Sequence, residues 1–139
     1  MKIISIDLGL SRTGIAISDT NEYLASPLCV IKERDRKKLS KRISEIIDQN
    51  NVSKIVLGLP VNMDGNEGNS AKSARAFADI LAQDTNIEIV FQDERGTTVS
   101  AHNYLNIANI KSRKRKEIVD AVAATIILQD YLDFRRNQK

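Results

Sequence analysis

One cysteine, one histidine and no tryptophan stand in a chain of 139 residues, and each scarcity removes a class of protein. With Cys29 alone no internal disulfide can form, so a disulfide-stapled framework is excluded and the cytoplasm is the expected compartment. Cys29 lies in the apolar run Leu28-Cys29-Val30-Ile31 and reads as a small buried thiol. His102 has no second histidine and no neighbouring thiol with which to build a zinc site, and is expected at an exposed helix position. Aromatic residues make up 4%, too few for stacking on aromatic faces to dominate recognition of bases. No apolar run approaches the ~20 residues of a membrane span. The chain opens with one lysine, a strand pattern and Asp7 rather than the apolar core of a signal peptide; no membrane partner is expected.

What remains is 42% hydrophobic and 28% charged, the balance of a globular protein. The length fits one domain over 1–139; no linker, repeat or low-complexity segment divides it. The net charge of +3 conceals an asymmetry. Residues 1–110 hold 13 Lys and Arg against 14 Asp and Glu, whereas residues 111–139 hold 8 against 4. Five of those cations fall in "KSRKRK" (111–116). A local basic cluster of this kind points to a polyanionic partner.

Periodicity predicts three strands over 2–7, 13–18 and 24–31, joined by short turns as an antiparallel meander. Helices are expected over 36–50, with Leu39, Ile43, Ile46 and Ile47 on one face, and over 71–84, with Ala74, Phe77, Ala78 and Leu81 on one side. "KIVLGLP" (54–60) reads as a strand stopped by Gly58 and Pro60, and "VNMDGNEGNS" (61–70) as a polar loop. "IEIVFQ" (87–92) is a further strand. A short helix over 98–106 and a long one over 112–134 complete the chain. Strand–helix–strand units require parallel pairing, so the order βββαβαβαα gives an α/β fold with a mixed five-stranded sheet and helices on both faces.

Three places offer carboxylates to chemistry. Asp7 ends the first strand, Asp93 and Glu94 end the last, and Asp120 lies within the long helix. Sites in open α/β sheets gather at the carboxyl ends of strands. Ala123, Ala124 and Ile127 share the helix face of Asp120 by three- and four-residue spacing, so Asp120 is expected to point toward the sheet. Converging carboxylates repel one another, and a hard divalent cation, magnesium or manganese, is the usual resolution. Such a cluster can hold ions that activate water against a phosphodiester. Plainer roles stay open at each position: a turn residue for Asp7, a helix cap for Asp93 or Glu94, and an ion pair with Lys116 for Asp120.

The stretches "IDLGLSRTGIAISD", "GLPVNMDGNEGNSA", "FQDERGTT" and "RKRKEIVDAVAATIILQDYL" resemble, in order, the YqgF (RuvX) group of RuvC-like nucleases on the ribonuclease H fold. The resemblance implies a metal-dependent phosphodiesterase with Asp7, Glu94 and Asp120 as catalytic and metal-binding set. It also implies a bacterial cytoplasmic protein that matures the 5′ end of the small-subunit ribosomal RNA precursor, with Holliday-junction resolution as the competing role. Gly96 departs from the bulky apolar residue usual after "DER". Strand alternation puts Asp93 and Glu94 on opposite faces, and Glu94 is preferred because the family uses it; Asp93 is the alternative.

Lys111, Arg113, Lys114, Arg115 and Lys116 crowd the start of the long helix against its dipole, an arrangement that nucleic-acid phosphates would relieve. A solvated basic face is the plainer reading of that cluster. Arg12 follows the first strand close to the acidic positions and could touch a scissile phosphate; Arg95 could do the same or pair with a neighbouring acid. Structured RNA is the favoured partner, with branched DNA as the alternative and a homodimer compatible with the latter. Two rivals differ in class. "DLGLSRTG" also resembles the phosphate-binding turn of the actin, Hsp70 and sugar-kinase superfamily, but that fold needs a second lobe and a second Asp-x-Gly turn. A non-catalytic nucleic-acid-binding module would keep the basic cluster without needing the acids.

Overall fold

The computed structural model describes residues 1–60, 68–93 and 112–137, the last of these by backbone alone as far as residue 120. Strands β1 (Lys2–Asp7), β2 (Arg12–Ser18) and β3 (Ala25–Lys32) form the expected meander. Helix α1 (Arg36–Asn50), β4 (Val52–Leu59), α2 (Asn69–Asp84), β5 (Glu88–Asp93) and a final helix, α3 (Ser112–Asn137), follow. The sheet has five strands in the order β3-β2-β1-β4-β5, with β4 parallel to both β1 and β5. The short helix expected over 98–106, with His102, lies outside the described residues, as do residues 61–67 of the polar loop.

Two cores sandwich the sheet. Ile4, Ile6, Ile15 and Leu57 meet Leu39, Ile43 and Ile47 of α1 and Ala74, Phe77 and Leu81 of α2 on one face. Ile3, Ala16 and Val56 meet Ala124, Ile127, Leu128 and Leu132 of α3 on the other. Consecutive residues of β1 serve opposite cores, as the period of two demands. Among the described residues no helix is long and apolar enough to cross a membrane.

Local physics moved several boundaries. Strand β4 begins at Val52 rather than at residue 54: Asn51 closes α1 in the left-handed region (φ 54°) and turns the chain directly into the strand. Gly58 does not stop β4, because it stays in register with Gln92. Helix α2 begins at Asn69, so its fully buried Ala71 extends the apolar stripe one turn earlier. Cys29 is half-buried rather than buried, since β3 is an edge strand, and burial raises its thiol pKa. A register shift in the β2–β3 ladder pairs Ile15 with Cys29 and Ala16 with Pro27, leaving Leu28 out of register.

Candidate nuclease site

Asp7 is the last residue of β1, the central strand of the sheet, and is half-buried. Its face follows from its neighbours. Ile3 packs in the α3 core, and the buried Ser5 hydroxyl donates to the Ala124 carbonyl at 2.6 Å. By alternation Asp7 therefore lies on the α3 side.

The direction of α3 is fixed by the same contacts. Beyond Ala124, the Gln129 carboxamide oxygen accepts from the Ala25 N–H at 2.9 Å, and Arg135 pairs with Glu22 at 2.8 Å. Ala25 pairs with Ser18, whose hydroxyl accepts from the Ile3 N–H at the start of β1. The helix thus runs antiparallel to β1. Stepping back from Ala124 to position 120 covers about 6 Å of helix, and stepping forward from Ser5 to Asp7 about 6.6 Å of strand. Position 120 stands at about the level of Asp7.

Strand β5 fixes the face of Asp93. Ile89 packs in the α1–α2 core and Val90 in the α3 core. Asp93 pairs with Leu59, itself in the α1–α2 core, and the Arg75 guanidinium of α2 sits 4.9 Å from the Phe91 ring centroid. Asp93 lies on the face opposite Asp7. Glu94 and Arg95 lie outside the described residues.

Arg12 shares the face of Asp7. Asp7 pairs with Gly14, and Arg12 is two residues nearer the turn, paired with Lys32. The turn is tight: a Cβ on Gly9 would fall inside 3.0 Å of the Arg12 carbonyl oxygen, so only glycine fits. Arg36, in the first turn of α1, closes the turn from the other face by donating from Nη2 to the Gly9 carbonyl at 2.8 Å. Neither the Ser5–Ala124 bond nor this link was evident in the sequence, although Arg36 stands out there as one of a run of cations. The backbones of Arg113, Lys114, Arg115 and Lys116 lie in the first turns of α3; Lys111 precedes the described helix. Among the described residues no group of three or more His, Cys, Asp or Glu is placed to hold a metal ion; of the expected acidic set only Asp7 has a described side chain.

A meander-led mixed sheet with a carboxylate at the end of its central strand, crossed there by a helix, defines the ribonuclease H-like fold in its RuvC-like form. Solved structures agree: Thermus thermophilus RuvC bound to a Holliday junction superposes with TM-score 0.61 at 13% identity, covering 99% of this chain and 96% of that one. The fowlpox virus resolvase with Holliday junction DNA gives TM-score 0.61 at 13%, over 97% and 99%. At such identity the likeness is one of fold. The family model described as RuvX, Holliday junction resolvase, matches residues 1–134, and the chain belongs to that family of nucleases. A Clostridium beijerinckii relative, described as a candidate pre-16S rRNA nuclease, is 41% identical over 96% of each chain. An Endomicrobium trichonymphae relative of the same description is 44% identical over 99% of each. Divalent-metal dependence and nucleic-acid binding go with nucleases of this class.

Proposed function

We propose that the chain is a magnesium- or manganese-dependent nuclease that trims the precursor of 16S ribosomal RNA near its 5′ end, in the bacterial cytoplasm. The observation that carries the substrate is the 41–44% identity, over nearly full length, to relatives described by that activity. The RuvC likeness, at 13%, reaches only the fold.

For the chemistry, Asp7, Glu94 and Asp120 are the proposed set. The half-buried carboxylate of Asp7 and the level of position 120 beside it support two of the three. With Asp93 on the opposite face, Glu94 is the acid proposed from the end of β5. All three donors are hard oxygens, which fit magnesium or manganese rather than a thiophilic metal. When bound, the metal would supply an activated water and charge stabilisation at the scissile phosphate. Arg12, on the same face, would orient that phosphate by charge-assisted hydrogen bonds. Arg95 and the cations at 111, 113, 114, 115 and 116 would hold flanking phosphates.

Incubating the purified chain with a precursor transcript and with a four-way DNA junction, each with manganese or chelator, tests this reading. Metal-dependent shortening of the transcript, abolished by Asp7→Asn, is expected. Asp7→Asn should melt no lower than wild type in chelator, since one charge leaves a repulsive cluster. Paired cuts in the junction by a dimer, with the transcript intact, would favour the resolvase role instead.

A further inference from the structure

A second basic surface borders the site from the opposite face of the sheet. The segment "KERDRKKLSKR" (32–42) carries seven cations and two acids. Both acids are turned to local backbone: the Asp35 carboxylate accepts from the N–H groups of Lys37 and Lys38 at 2.9 and 3.1 Å, and Glu33 accepts from the Asp35 N–H at 3.2 Å. The first turn of α1 contains no acidic residue, so Arg36, Lys37 and Lys38 oppose the helix dipole there. Lys41 pairs with Asp84 at 3.7 Å, and among the described residues no salt bridge engages Arg34, Lys37 or Lys38. All three are exposed.

The position of this surface is set by two contacts. Lys32 ends β3 opposite Arg12, and Arg36 reaches the Gly9 carbonyl in the turn that follows Asp7. The Arg36 Nη1 atom is buried there with no hydrogen-bond partner. The start of α1 therefore lies at the same sheet end as Asp7, as does the start of α3, on the other face. Two helices whose first turns are loaded with cations flank one carboxylate-bearing strand end.

Resting on the nuclease reading, we propose that Arg34, Lys37 and Lys38 form a second phosphate track. It holds the sugar–phosphate backbone of the substrate on the α1 side while the α3 cluster holds it on the other. The occupant is a nucleic-acid strand, because the surface offers exposed cations at and just before a helix start with no salt bridge among the described residues, and backbone phosphates supply the matching charge.

The test compares wild type with Arg34→Ala/Lys37→Ala/Lys38→Ala, in an Asp7→Asn background for binding and with Asp7 intact for cleavage. Three lost contacts remove about 0.7–0.9 each from the slope of log affinity against log salt. Between 50 and 200 mM salt the variant should consequently lose about 20- to 40-fold less affinity than wild type. KM should rise, while the rate at saturating substrate stays within about twofold and the melting temperature holds, since Asp35 still caps α1. Arg136→Ala, at the far end of α3, is the control with an unchanged slope. An unchanged slope in the triple variant of a chain that binds and cuts would overturn the α1 track alone. A wild-type chain that neither bound nor cut would overturn the nuclease reading with it.

Discussion

Gly9→Ala tests whether the turn after Asp7 is as constrained as its geometry implies. The new methyl group would lie inside 3.0 Å of the Arg12 carbonyl oxygen and 3.3 Å from its carbonyl carbon. Both are backbone atoms, so no rotamer change relieves the contact. The peptide that opens β2 must turn, or the Asp7–Arg12 loop must widen. Over-packing of this kind costs about 1–3 kcal/mol, and a backbone neighbour places it near the upper end. With an unfolding entropy near 2.1 cal/mol/K per residue, about 3 kcal/mol in a chain of this length lowers the melting temperature by about 10 °C. The functional loss should be larger in proportion. Arg12 shares a face with Asp7 through the register that pairs Asp7 with Gly14, and a displacement of about 1 Å near reacting groups can cost ~100-fold in rate. Thermal unfolding in chelator and single-turnover cleavage with manganese measure the two effects. A variant that melts within 2 °C, or about that, of wild type and cuts at wild-type rate would refute the over-packing argument.

Three further outcomes are expected. Asp93→Asn should leave metal-dependent cleavage within a few-fold of wild type, whereas Glu94→Gln should abolish it; the reverse result in a cleavage assay would restore Asp93. Replacing Lys114 and Arg115 by Ala should weaken binding to all sequences alike and lower the salt slope by about one per lost contact, with metal affinity, measured by titration, unchanged. Asp130 is an exposed residue whose carboxyl pKa is raised above the ordinary 3.8, first by partial desolvation against its surroundings and then by the charge of Asp133. A raised folded-state pKa makes the charged form a burden on the folded chain, absent below the unfolded pKa and complete once pH exceeds the folded one. Asp130→Asn should therefore melt higher than wild type at pH 7, with the gap closing in scans near pH 3.

The elements were legible because their patterns are local. Alternation in Ile3-Ile4-Ser5-Ile6 and the four-residue spacing of Leu39, Ile43 and Ile47 each declare a period within a few residues. The acidic site was legible in part, because a carboxylate at the end of a strand is visible in one dimension. Its assembly was not. Ser5 meets Ala124 across 119 positions, and long-range contacts of this kind set the height of α3 against β1. The choice between Asp93 and Glu94 likewise needs to know which face α3 covers, a property of the packed sheet and of no segment within it. Arg36 is one of seven cations in residues 32–42, and its bond to Gly9 depends on α1 and the β1–β2 turn meeting in space.

The irregular ladder of β3 has a consequence for how copies of the chain meet. An outer strand is an invitation to further strands, because its outward N–H and C=O groups lack partners. Here the invitation is spoiled midway: Pro27 has no N–H to offer, and the displaced Leu28 breaks the regular spacing an incoming strand would need to match. The border is thereby a poor template for edge-to-edge pairing with a second sheet.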